Sequence, residues 1–104
     1  MSKPLVGSVL PQANVYFEGR CVSHTVELAD GTRKSVGVIL PAELVFTTGV
    51  PEIMETVAGA CEIQRPGETG WTRYGAGQSF QVPGQSSFKI RVSGEPYHYI
   101  CHFG

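Results

Sequence analysis

The sequence predicts an all-β domain, a small sandwich or barrel of short strands. Three observations carry that prediction. Apolar and polar residues alternate along several runs, the two-residue period of a half-buried strand, and no helical stripe competes with them. Thirteen glycines and seven prolines fall within 104 residues, which favours many turns over long helices. Turn signals then recur about every eight to twelve residues, the spacing of small sandwiches and barrels.

The elements follow in order. Residues 1–13, interrupted by Pro4, Gly7 and Pro11, are expected to form a flexible arm, leaving 14–104 as the single folded domain. Tyr16 to Leu28 is rich in β-branched and aromatic residues and reads as one strand. Asp30-Gly31 is a tight-turn signal. Ser35 to Leu40 carries Val36, Val38 and Leu40 on one face, with Gly37 opposite, where a close-packed neighbour fits. Pro41-Ala42 turns the chain into Glu43 to Thr48, and Gly49-Val50-Pro51 ends that strand. Glu52 to Ala58 puts Glu52, Met54 and Thr56 on one face; a short helix is the rival, but Gly59 follows too closely. Ala60 to Arg65 ends at Pro66-Gly67, and Trp71 to Tyr74 is a short strand or ordered loop. Ser79 to Val82 ends at Pro83-Gly84, Phe88 to Val92 points Phe88, Ile90 and Val92 inward, and Tyr97 to Phe103 closes the chain.

Composition excludes several classes of function. A net charge of −1 leaves no basic excess for a nucleic-acid partner. No apolar run reaches the length of a membrane span, and the N-terminus lacks the pattern of a signal peptide. Cys21, Cys61 and Cys101 lack any C-x-x-C pairing and read as buried free thiols in a reducing cytoplasm.

Glu52 with Gly59 seven residues on, and Gly77 followed by Pro83-Gly84, resemble the two half-motifs of a cupin, a jelly-roll-like double-stranded β-helix barrel. Cupins usually carry histidines four and six residues before that glutamate and another in the second half-motif. Here those positions hold Thr48, Phe46 and, approximately, Phe88. The expectation is a barrel without a metal cofactor. His98 and His102 do not restore a site, because four residues on a strand span about 13 Å.

Eight segments widen the resemblance: Asn14-x-Tyr16-Phe17-x-Gly19, Ser35-Val36-Gly37-Val38, Glu43-x-x-Phe46-x-Thr48, Pro51-Glu52-x-Met54, Gly59-Ala60, Trp71-x-x-Tyr74-x-x-Gly77, Phe80-x-Val82-Pro83-Gly84 with Ser86 and Phe88, and Tyr99-x-Cys101. In order and spacing they resemble the small single-domain cupins known as pyrimidine/purine nucleoside phosphorylases. That resemblance implies a homodimeric cytoplasmic enzyme that cleaves nucleosides with phosphate, the phosphate being a co-substrate. The alternative is a cupin that has lost its metal and binds a small molecule without chemistry.

Glu52 is the catalytic candidate, since phosphorolysis passes through a cationic sugar and needs a nearby negative group or a proton donor. Its rival role is a carboxylate satisfied by backbone N–H groups near Gly59. Arg33, where the resemblance places an arginine, is a candidate phosphate clamp assisted by Ser35; a solvated turn charge is its rival. Thr48 is a candidate hydroxyl for phosphate or ribose. Phe46 and Phe88 offer flat surfaces for a base, with plain core as their alternative.

Overall fold

Alternation gives each strand a face that must leave water, and two antiparallel sheets packed face to face bury those faces. The computed structural model describes residues 4–103. Eleven strands run in order: β1 (Ser8–Val9), β2 (Asn14–Tyr16), β3 (Cys21–Glu27), β4 (Arg33–Ile39), β5 (Ala42–Thr47), β6 (Glu52–Ala58), β7 (Ala60–Gln64), β8 (Thr72–Gly75), β9 (Ser79–Val82), β10 (Ser87–Val92) and β11 (Tyr97–Phe103). A long sheet has the order β1-β3-β4-β11-β6-β9, with β2 also on β3, and a short sheet has the order β5-β10-β7-β8. The fold is the expected cupin-type jelly roll, present as a sandwich of two sheets and not as a closed barrel.

The core lies between the sheets. Ile39, Ile63, Ile90 and Tyr97 are fully buried there, and each such side chain contributes about 1.5–3 kcal/mol of apolar transfer. Phe88, Ile90 and Val92 all point inward, as the alternation requires. On β4 the buried face is Ser35 and Ile39 with Gly37 between them, while Val36 and Val38 face outward and Leu40 is exposed. Gly37 leaves room for the Tyr99 ring, whose hydroxyl would collide with any added Cβ. Cys21, Cys61 and Cys101 are buried and unpaired.

Two expectations need correction. The arm expected over 1–13 includes a strand: Ser8 and Val9 pair with Glu27 and Val26, and the Leu10 N–H donates to the Thr25 carbonyl at 2.9 Å. This segment covers an edge that β3 would otherwise expose. Residues 1–3, like Gly104, lie outside the described residues. The single strand expected over Tyr16 to Leu28 is in fact a hairpin. Phe17, Glu18 and Gly19 all have positive φ and form a 3₁₀ turn that folds β2 back onto β3.

Two corners fix how the chain changes sheets. At Gly59 it passes from β6 in the long sheet to β7 in the short one, with φ +76. An added Cβ there would run into the Pro96 carbonyl oxygen. At the other corner the Thr48 hydroxyl donates to the Pro83 carbonyl at 2.7 Å and accepts from the Ser86 N–H at 3.0 Å, clamping the 83–86 turn to the end of β5. Gly59→Ala is expected to lower stability by about 1–3 kcal/mol or more, combining left-handed strain with the collision. Thr48→Val is expected to cost about 1–3 kcal/mol by removing two part-buried hydrogen bonds. Urea unfolding at neutral pH measures both.

Candidate active site

The register of the long sheet sets the site. Its inner face carries four successive rows. The outermost holds Glu27 and Arg33, then Phe103, Glu52 and Val82; the next holds Thr25, Ser35, Cys101, Met54 and Phe80. Behind them come Ser23, Gly37, Tyr99 and Thr56, and then Cys21, Ile39 and Tyr97. Towards the outer rows the sheets part around a cavity of about 260 Å³, near the low end of ligand clefts, which run roughly 300–1,000 Å³.

The cavity has two unlike walls. From the long sheet come Ser23, Ser35, Glu52, Tyr99 and Cys101, together with Ile39, Met54 and Phe103. From the short sheet come Val45, Phe46, Thr47 and Phe88. Phe46 and Phe88 are cross-strand partners, and their rings stack at 5.7 Å and 18°. Phe17, from the 3₁₀ turn, stands edge-on to Phe46 at 5.2 Å and, with Tyr16, lines the mouth. Strained backbone at a cavity mouth is a recurrent mark of ligand-handling segments.

Glu52 is partly buried beside these rings. Burial pushes its carboxyl above the ordinary range, and the neighbouring Cys101 thiol pulls it partly back. Burial first, then the neighbouring Glu52 carboxyl, hold the Cys101 thiol up at about 12. The Tyr99 hydroxyl contacts the Cys21 sulfur at 3.5 Å, and burial raises its phenol. Asn14 Nδ2 donates to Ser23 at 3.3 Å and to Thr25 at 3.4 Å, extending the polar wall towards solvent.

Glu52, Ser35, Phe46 and Phe88, singled out from the sequence, therefore meet in one cavity. Thr48 does not join them: its hydroxyl is used in the corner clamp, because the strand ends at Thr47 and the backbone turns before Thr48 faces the cleft. Nor does Arg33 line the cavity. It shares the inner face with Ser35 but sits at the rim, with its side chain 63% exposed and 3.7 Å from Glu27. The sequence reading missed Tyr16, Phe17, Ser23, Tyr99 and Cys101 as cavity residues. Alternation along β11 offered a signal for Tyr99 and Cys101, since both fall on its buried face with Tyr97.

Among the described residues, no group of three or more His, Cys, Asp or Glu side chains is placed to hold a metal ion. His98 and His102 face outward on the far side of β11. His102 lies between Lys34 Nζ at 2.6 Å and Glu55 Oε1 at 3.0 Å, turned away from Glu52.

With this geometry in place, comparison with known proteins is direct. A family model described as pyrimidine/purine nucleoside phosphorylase matches residues 11–103. A pyrimidine/purine nucleoside phosphorylase from Thiobacillus denitrificans is 68% identical over 97 residues, 93% of this chain and 93% of its own length. The crystal structure of a protein of unknown function from Acinetobacter sp. ADP1 superposes with a TM-score of 0.89 at 47% identity, covering 93% of each chain. A cupin domain of an XRE family transcriptional regulator from Enterobacter cloacae superposes with a TM-score of 0.56 at 23% identity, over 69% of this chain and 81% of its own, a likeness of fold alone. On the match along nearly its whole length, the chain belongs to the pyrimidine/purine nucleoside phosphorylase family.

Proposed function

We propose that this protein cleaves purine and pyrimidine nucleosides with inorganic phosphate, releasing free base and ribose 1-phosphate. The observation that carries the reading is a lone carboxylate, Glu52, held in an aromatic-walled cavity of a chain from this family. In the reaction the glycosidic C–N bond breaks, the base leaves with the bonding electron pair and takes up a proton, and a phosphate oxygen bonds to the anomeric carbon. Positive charge develops on the sugar as the base departs. A fixed negative group in a low-dielectric cleft stabilises that charge more than water does. Glu52 in its ionised form fills that role.

The short-sheet wall takes the base. Stacking on Phe46 and Phe88 requires only a π face, which purines and pyrimidines share. Ser35, in the cavity, and Arg33, two residues away on the same face, receive phosphate at the mouth. The reaction is metal-independent in this proposal, because Phe46, Thr48 and Phe88 occupy the positions where a cupin carries histidines. The family reading also carries a homodimer, for which the apolar outer face of the long sheet, including Val36, Val38 and Val57, offers a surface, and a cytoplasmic setting. Light scattering of the purified protein reads the mass.

Protein mixed with uridine or adenosine should release free base only when phosphate is present, and should do so undiminished with a chelator. Ligand binding without phosphate-dependent release would leave a non-catalytic cupin instead. Glu52→Gln should keep the fold and lower kcat by roughly 10²–10³-fold; wild-type turnover would remove Glu52 from the chemistry. The pH dependence has a definite sign. Protonation removes the negative charge, so kcat/KM should fall as pH drops through a pKa above the ordinary carboxyl value of 4.5. Stability runs the other way. The folded state holds this proton to higher pH than the unfolded chain, so the Glu52 contribution to stability declines as pH rises through the same window. Glu52→Gln should therefore melt above wild type at neutral pH, measured by thermal denaturation. Arg33→Ala should raise KM for phosphate more than KM for nucleoside; equal effects would take Arg33 out of the phosphate site.

A further inference from the structure

Cys101 stands between two polar side chains of the cavity and has no part in the mechanism above. On β11 it is paired in register with Ser35 on β4 and with Met54 on β6. Glu52 lies two residues before Met54, on the same face and one row nearer the mouth. The thiol is 4% exposed and lines the cavity. Ser35 is its direct cross-strand neighbour on β4, and Glu52 its diagonal neighbour on β6. Three adjacent strands thus contribute one continuous line of polar groups: hydroxyl, thiol, carboxylate.

The direction of that line follows from its chemistry. A carboxylate only accepts, so the thiol must donate to it, and the hydroxyl is then free to donate to sulfur. Such a thiol keeps its proton at working pH and is a poor nucleophile.

We propose that Cys101 is a positioning residue for Glu52, whose S–H holds one carboxylate oxygen so that the other faces the cavity in ionised form. The catalytic meaning rests on the phosphorylase reading; the contact itself does not. The remaining surroundings of Glu52 offer little to replace the thiol. Val82 faces it from β9, Phe103 from β11, and Phe88 from β10. On its own strand Glu55 turns outward to His102. Tyr99 and Tyr16 are the other titratable groups lining the cavity. Tyr99 is engaged by Cys21, and Tyr16 stands at the mouth. Arg33, the rim charge on β4, is held by Glu27 from β3.

The test is titration of the Glu52 carboxyl by carbon-13 NMR, with its signal assigned by loss in Glu52→Gln. Cys101→Ala removes the donor, and the Glu52 pKa should rise by about half a unit to one unit relative to wild type. Cys101→Ser supplies a stronger donor and should bring it below wild type. The acidic limb of kcat/KM should move with the titration, to higher pH in Cys101→Ala and back in Cys101→Ser, while kcat/KM at neutral pH falls several-fold in the first and recovers in the second. An unchanged Glu52 titration in Cys101→Ala would overturn the proposal. Should that variant fail to fold, Cys101→Ser decides alone, and an unchanged titration there overturns it equally. A wild-type protein that releases no base from any nucleoside would sink the phosphorylase reading and leave this titration still able to judge the contact.

Discussion

The molecule depends on the register of one strand. β11 is hydrogen-bonded on both sides, to β4 and to β6, and so decides which residues of three strands share a row. A slip of one residue would turn every side chain of β11 to the other face. Tyr97, Tyr99 and Cys101 would then face outward, and His98 and His102 would enter the core, where their ring nitrogens would need partners. The burial of Tyr97, with its hydroxyl 3.0 Å from the Thr56 hydroxyl, guards against that slip. Both groups are satisfied only in the observed alignment. Glu52 inherits its place from the same alignment, because it is paired with Phe103 at the end of the strand.

Around that register the protein keeps a cupin frame and fills it differently. Where metal ligands would converge, stacked phenyl rings close one wall. A carboxylate beside such a wall is costly to ionise, and hydrogen bonds lower that cost. Cys101, a soft and weak donor on the adjacent strand, is one source. The result is an acid whose ionisation is adjusted by packing and by one neighbour.

Much of this was legible in the sequence because alternation is a physical requirement of a half-buried strand. Glu52–Ala58, Ser79–Val82 and Tyr97–Phe103 have the bounds that the pattern predicts, and Glu52, Met54 and Thr56 share one face as it requires. The failures have equally specific causes. Positive φ at Phe17 and Glu18 has no signature in residue type, since neither is a usual left-handed residue, so residue pattern alone runs one strand through the hairpin at β2–β3. Pairing of Ser8 and Val9 with β3 is a tertiary choice: an edge needed covering, and local composition does not encode that. Counting along the strand places Thr48 in the cavity, but the strand ends at Thr47. Arg33 lies on the expected face, yet distance along the sheet, which periodicity does not measure, leaves it at the rim.

The two sheets contribute different side chains to the cavity, with its one carboxylate on the long sheet and the stacked phenyl pair on the short one, and this has an evolutionary corollary. Residues donated by β5 and β10 touch a different part of any guest than those donated by β4, β6 and β11. Substitutions in the first group can widen or narrow the range of guests while leaving the reacting centre alone. In the proposed reaction, substitutions in the second group act on the chemistry itself. A lineage can therefore drift in what it accepts without drifting in what it does, because the two traits are written on separate layers of the same small domain.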